Sequence, residues 1–265
     1  MKTLIIIPTY NEIENMRPLL EAIFLHAPQT DILIVDDNSP DGTGALADQM
    51  HAEDARVHVL HRAGKLGLGT AYIAGFKYAI AQRYDAAFEM DADFSHDPRY
   101  LPDFLTAIES ADLVIGSRYI KGGDTPNWTL LRRIISGGGN TFARFVLGLP
   151  IHDCTAGFRC YRREVLETID LDSIQALGYA FQVELVYRVL NSGFKIVEIP
   201  IVFMDRRVGK SKMSRTIFIE GFLWVIRARL GQLPGMKKSS RTQNNNDVQA
   251  MSSLDSIDEQ SMVQK

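Results

Sequence analysis

Over its first 120 residues the chain alternates short β-branched runs with helix-length segments, and polar or turn-forming residues close most of the runs. This rhythm constrains the fold more than any other feature. Leu4–Ile7, Ile32–Val35, Val57–Leu60, Ala86–Met90 and Leu113–Ile115 read as strands. Glu14–His26, Gly44–Met50, Gly69–Arg83 and Pro98–Ser110 read as the helices between them. Such alternation predicts an α/β fold, a mainly parallel sheet with helices on both faces. Ligands of such sheets bind beyond the carboxyl ends of the strands. At those ends stand Pro8-Thr9-Tyr10-Asn11-Glu12, Asp36-Asp37, Asp91-Ala92-Asp93 and Ser117-Arg118.

After residue 120 the rhythm loosens. Gly137–Gly139 separate a helix near Leu130–Ile135 from another over Asn140–Leu147. Helices at Arg163–Ile169 and Phe181–Leu190 and a strand-like Lys195–Phe203 follow. A last amphipathic, basic helix is expected over about 216–233. Residues 237–265 contain no aromatic residue and an Asn-Asn-Asn run, so they read as a disordered polar tail. The expected organisation is one catalytic domain over 1–236 and that tail.

The net charge of −3 argues against a nucleic-acid partner. It is also an average of unlike parts. Residues 1–205 carry 18 basic and 27 acidic groups, whereas residues 206–238 carry nine basic groups and only Glu220. The chain is thus an acidic body with a basic stripe near its C-terminus. No apolar run reaches the roughly 18 residues needed to cross a bilayer, and the N-terminal apolar stretch is too short for a signal peptide. A cytoplasmic protein, at most peripheral to a membrane, is expected.

Asp91 and Asp93 end a buried strand, and Asp36-Asp37 end another. Clustered carboxylates repel one another and call for a cation or donors between them. Two hard oxygen ligands suit Mg²⁺ or Mn²⁺, whose shell phosphate oxygens complete. A lone Asp-x-Asp is more often a capped turn; the second acidic pair shifts the balance to a metal. Arg118, and Arg206, Arg207, Lys210 and Lys212 in a glycine-broken loop, supply the complement for anionic groups. Taken alone, that loop is equally well a solvated charge run.

Other signals carry less. Gly67-Leu68-Gly69 lacks the third glycine of a dinucleotide fingerprint, and Gly209-Lys210-Ser211 lacks the upstream glycine of a P-loop. Of the histidines only His96 is placed for chemistry, and turn capping is its simpler role. Cys154 and Cys160 read as inert thiols. The last helix, with Phe222, Trp224, Arg227 and Arg229, suits a membrane interface. Packing within the core suits it slightly better.

The segments IIIPTYNE, VDDNSPDGT, KLGLGTAYIAGFKYA and MDADFSHDP together resemble the family-2 inverting glycosyltransferases of GT-A fold. More narrowly, they resemble the dolichyl- or polyprenyl-phosphate mannose synthases of the soluble, single-domain type. The likeness continues through GSRY, FRCYRREVLE and GYAFQVELVYR to DRRVGKSKMS, and so spans almost all of residues 1–230.

The resemblance implies roles. Pro8, Tyr10 and Glu12 would lie against the nucleotide, with Val35 and Asp37 at its base. Asp91, Ala92 and Asp93 would approach the diphosphate and sugar, Asp93 being the leading metal ligand and Asp91 the second. Ser95 stands where some relatives place a further ligand, often Gln. Arg118, Arg206 and Lys212 would contact the donor diphosphate or the acceptor phosphate.

The implied reaction moves mannose from GDP-mannose to a polyprenyl or dolichyl monophosphate with inversion, releasing GDP. It would occur at the cytoplasmic face of a membrane, with or without a separate membrane subunit. Two other readings compete: the same fold with another donor such as UDP-glucose, and a catalytically silent membrane-surface adaptor.

Overall fold

The computed structural model describes residues 1–174, 176, 178–204 and 215–231, with side chains omitted for 215–220. Seven strands form one sheet among the described residues: β1 (Thr3–Thr9), β2 (Asp31–Asp36), β3 (Val57–His61), β4 (Ala86–Glu89), β5 (Leu113–Ser117), β6 (Arg159–Arg162) and β7 (Ile196–Pro200). Their order is β3-β2-β1-β4-β6-β5-β7, with every pairing parallel except those of β6. The helices are α1 (Ile13–His26), α2 (Thr43–Glu53), α3 (Leu68–Ala81), α4 (Leu101–Ala107), α5 (Leu130–Leu147), α6 (Arg163–Thr168), α7 (Tyr179–Asn191) and α8 (Arg215–Arg229).

Alternation along each strand sends successive side chains to opposite faces and builds two cores. Ile5, Ile7, Ile32, Ile34 and Phe88 point to the face covered by α1, α2 and α4. Leu4, Ile6, Leu33, Val35 and Ala87 point to the other, covered by α3 and α5–α8. The close seat of α3 depends on Gly75, where a Cβ would come within 2.4 Å of the Ile6 side chain. This is the doubly covered sheet expected from the alternation.

Two departures matter for the site. β6 was not expected, and it runs antiparallel between β4 and β5. Its N-terminal end therefore lies at the same edge as the carboxyl ends of its neighbours. α5 is one helix where the glycines predicted two. The Thr129 side chain caps it by accepting the Arg132 N–H, and Gly148 closes it in the left-handed conformation. Each interior glycine costs about 1 kcal/mol relative to alanine. Asn140, Ala143 and Leu147, buried on one face, offset that cost.

α8 packs on α5 and α7. Phe222 stacks on Phe142 at 4.5 Å between ring centroids, and Trp224, Val225 and Ala228 are buried in the core. The expected tail at 237–265 lies outside the described residues.

Candidate active site

The strand ends form a rim in three groups. At the first, β1 runs into Pro8, Tyr10 and Glu12. Asn11 has a φ of +61°, a sharp turn that asparagine tolerates. The Glu12 N–H donates to Thr43 Oγ1 and the Glu12 carboxylate accepts from Asn15, which pins the start of α1 to α2. Lys65 places its ammonium 4.2 Å from the centre of the Tyr10 ring.

Beside it, Asp37 follows β2. Its carboxylate pairs with Arg62 at 2.8 Å and accepts the Leu66 N–H at 3.1 Å. Asp36 faces inward and is consumed by Thr9 and Ser39. Val35 is wholly enclosed in the core beneath this group.

The second group follows β4. Asp91 Oδ1 accepts the Tyr72 hydroxyl at 2.9 Å, and the Asp91 N–H donates to His96 Nδ1 at 3.0 Å. His96 thus holds the turn through its unprotonated nitrogen. Burial lowers its pKa against the opposing pull of Asp91 and Asp93, and its ring stacks on Phe158. Capping is its role in this structure, as its simpler sequence reading had it. Asp93 is buried and accepts the Ser95 N–H, and Ala92 between the two aspartates is buried as well.

Behind them Glu89 is fully buried opposite Arg159 of β6 and accepts from Gln182. Burial raises Glu89 to about 8, against the attraction of Arg159.

The third group is Arg118, after β5. It is buried and holds Asp153 in a two-pronged ion pair, with Nε at 2.7 Å and Nη2 at 2.8 Å from the carboxylate. Nη2 also donates to Thr155, and the Arg118 N–H donates to Asp153 at 3.0 Å. Burial disfavours both charges. Their mutual attraction outweighs it, leaving Asp153 below and Arg118 above the ordinary values. Arg206 and Lys212, the other expected anion contacts, lie outside the described residues.

Among the described residues no three His, Cys, Asp or Glu side chains form a cage for a metal. The donor set still fits a hard cation that takes its remaining ligands from phosphate and water. Asp91 and Asp93 supply carboxylates, and the buried Ser95 Oγ beside them has no hydrogen-bond partner among the described residues.

Adjoining Arg118 is an apolar groove of about 460 Å³ between α5, α7 and α8. Leu131, Ile135, Phe142, Val183, Phe222 and Val225 line it. One end is polar and aromatic: Trp128, Arg132, Ser136 and Thr155. Of these, Thr155 accepts from Arg118 and Trp128 lies 5.5 Å from the Arg118 guanidinium.

Sequence reasoning did not single out Arg62, Lys65, Tyr72 or Asp153. Lys65 and Tyr72 lie inside the KLGLGTAY segment, which carried the resemblance without a role for either. Asp153 and Arg62 are polar residues distant in sequence from their partners, and nothing local marks them.

Residues 4–170 match the profile described as Glycosyl transferase family 2. The chain is 51% identical over 242 residues to the polyprenol monophosphomannose synthase of Mycolicibacterium smegmatis, covering 89% of this chain and 91% of that one. It is 51% identical over 227 residues to the undecaprenyl-phosphate mannosyltransferase of Micrococcus luteus, covering 86% and 93%.

Among solved structures, S. aureus TarS 1-349 in complex with UDP-GlcNAc aligns with a TM-score of 0.57 at 17% identity, covering 89% of this chain and 68% of that chain. The mannosyltransferase PcManGT from Pyrobaculum calidifontis, in complex with GDP-Man and Mn2+, aligns with a TM-score of 0.50 at 14% identity, covering 94% and 80%. At those identities the two structures speak for the fold alone, which is of GT-A type. Sheet order, rim chemistry and sequence kinship agree: the chain belongs to glycosyl transferase family 2.

Proposed function

We propose that this glycosyltransferase moves mannose from GDP-mannose to a polyprenyl monophosphate with inversion, releasing GDP, at the cytoplasmic face of a membrane. The observation that carries this reading is the apolar groove ending at Trp128, Arg132, Ser136 and Thr155 beside Arg118. A prenyl chain with a phosphate head has that same order of chemistry. The names of the two half-identical relatives support the same acceptor and sugar.

The nucleotide lies against Pro8 and Tyr10, with the base near Asp37. Asp91 and Asp93 would hold Mg²⁺ or Mn²⁺, which when bound would supply charge neutralisation at the diphosphate. An acceptor phosphate oxygen attacks the anomeric carbon as the bond to the GDP oxygen breaks. That oxygen is already anionic near neutral pH, so no activated histidine is required. Arg118, with Arg206 and Lys212 of the basic segment, steadies the two anions as they meet.

The described helices include none long and apolar enough to cross a membrane. Contact with the bilayer is assigned to the outer faces of α5 and α8. Leu130, Ile134 and Phe145 on α5, Leu223 and Ile226 on α8, and Leu230 just after α8 are exposed.

A panel of radiolabelled sugar nucleotides assayed with short prenyl phosphates tests the whole reading. Transfer from GDP-mannose with β-linked product is expected. Thermal stabilisation by UDP with Mn²⁺, and none by GDP, would exclude the mannose donor.

A further inference from the structure

We infer that Asn140 is a positioning residue, locking the polar edge of α5 to the segment that holds Arg118. The two halves of the acceptor-phosphate site thereby keep one register. This inference rests on the prenyl-phosphate reading and deepens it.

Arg132, Ser136 and Asn140 are spaced i, i+4 and i+8, so they form one row along α5. All three line the groove, Arg132 and Ser136 at its polar end. Asn140 is buried and spends both ends of its amide on a single neighbouring segment. Its Nδ2 donates to the His152 carbonyl, and its Oδ1 accepts the Cys154 N–H at 2.9 Å and the Cys154 thiol at 3.0 Å. The N–H of Cys154 can only donate, so the amide orientation is fixed by the network.

Between the two residues that Asn140 grips lies Asp153, the partner of Arg118. Glu198 of β7 closes the far side, accepting the His152 N–H at 2.7 Å and the Asp153 N–H at 2.8 Å. The segment 152–154 is therefore held by a helix on one side and a strand on the other. Its carboxylate in turn fixes the guanidinium. A second tie joins Tyr119 to Ser136 at 2.9 Å.

Side-chain size adds a reason. Residues 137–139 are all glycine, and a Cβ at Gly137 or Gly138 would meet nothing within 4 Å. This stretch of α5 has no side chains to interlock with its neighbours, so the anchor falls to the next residue. A phosphate gripped by groups from two elements requires their spacing to hold within about 0.5 Å. Two hydrogen bonds to backbone groups on either side of Asp153 set that spacing directly.

The test is equilibrium binding of farnesyl phosphate, read by quenching of Trp128 fluorescence in a Trp224→Phe background, for the otherwise wild-type chain, N140A and the near-isosteric E198Q. GDP affinity with Mn²⁺ and thermal midpoint are measured alongside. Both variants should bind farnesyl phosphate about tenfold more weakly, the effect of roughly 1.4 kcal/mol. GDP affinity should stay within twofold. Unchanged farnesyl phosphate binding in either folded variant overturns the inference, as does a parallel loss of GDP binding, the mark of a merely structural role. If N140A fails to fold, Asn140→Ser, which stays polar but is too short to reach both His152 and Cys154, takes its place. A wild type that binds farnesyl phosphate yet transfers no mannose to it overturns the proposed function instead.

Discussion

Tyr72 of α3 reaches out of the core to donate a 2.9 Å hydrogen bond to Asp91, the first acidic residue after β4. Its ring is fully buried and stacks on Phe76 and Phe181. Burial, reinforced by the nearby carboxylates, raises the phenol well above its ordinary pKa, so it stays a donor. A side chain on a helix thus sets the orientation of an acidic group on the rim.

Replacing Tyr72 with Phe keeps the stacking and deletes the donor. Mn²⁺-dependent affinity for GDP should fall roughly 10–100-fold, the usual cost of losing a group that orients a metal ligand. Titrating Mn²⁺ against GDP binding checks it. An unchanged Mn²⁺ requirement would separate Asp91 from the metal.

Asp93→Ala should cut mannosyl transfer at least about a hundredfold while the fold and vesicle binding persist. Circular dichroism and vesicle sedimentation supply the controls. Transfer at the wild-type rate would remove Asp93 from the site.

Asp153→Asn leaves Arg118 buried without its counter-charge, at a cost of about 3–5 kcal/mol in stability. The pair also has a pH signature. The folded-state pKa of Asp153 is depressed, so its contribution is complete above the unfolded value of about 3.9. It is lost as pH falls through the folded value. The gap in thermal midpoint between wild type and variant should stay constant from pH 7 to 5 and narrow below pH 4. A gap that widens on acidification would reverse the sign.

Both cysteines should resist alkylation in the native state. Burial pushes Cys154 up to about 12 and Cys160 well above the ordinary thiol value. The reactive thiolate is then scarce at pH 8. Ellman titration should count no rapid thiol before denaturant and two after it.

Changing Leu130, Ile134 and Phe145 together to Ser removes exposed apolar surface from α5 without touching the groove lining. Binding to anionic vesicles should weaken at least about tenfold. Turnover on a water-soluble short-chain acceptor should be retained. Wild-type vesicle affinity in this variant would move the contact elsewhere on the molecule.

Much of this architecture is legible in the sequence because its strands are short apolar runs with turn residues after them. β1 to β5 each fall within two residues of the expected ends. β6 escaped because Arg159 and Arg162 give it the look of a charged loop. Only its partners, Glu89 across the sheet and the carbonyls of Cys154, Ala156 and Gln182, make a fully buried arginine tenable there. Glycine propensity alone divides α5 in two, whereas the buried Asn140, Ala143 and Leu147 hold it together as one helix. The acidic residues at the strand ends stood out because their positions are set locally. Their supports did not, since Tyr72 meets Asp91 across 19 residues and Arg118 meets Asp153 across 35.

The 35 residues between Arg118 and its partner Asp153 bear on how the protein is made. The segment that supplies the counter-charge of Arg118 is translated after all five strands that precede it. At about 5–20 residues per second, the 35 residues between Arg118 and Asp153 emerge over roughly 2–7 s. During that interval the nascent chain carries an arginine destined for burial with no counter-charge yet available. The rim group of Pro8, Tyr10, Glu12, Asp37 and Arg62 is written entirely in the first 70 residues and has no such wait. Birth order on the ribosome therefore separates the two groups: the ion pair of Arg118 and Asp153 can form only after that of Asp37 and Arg62.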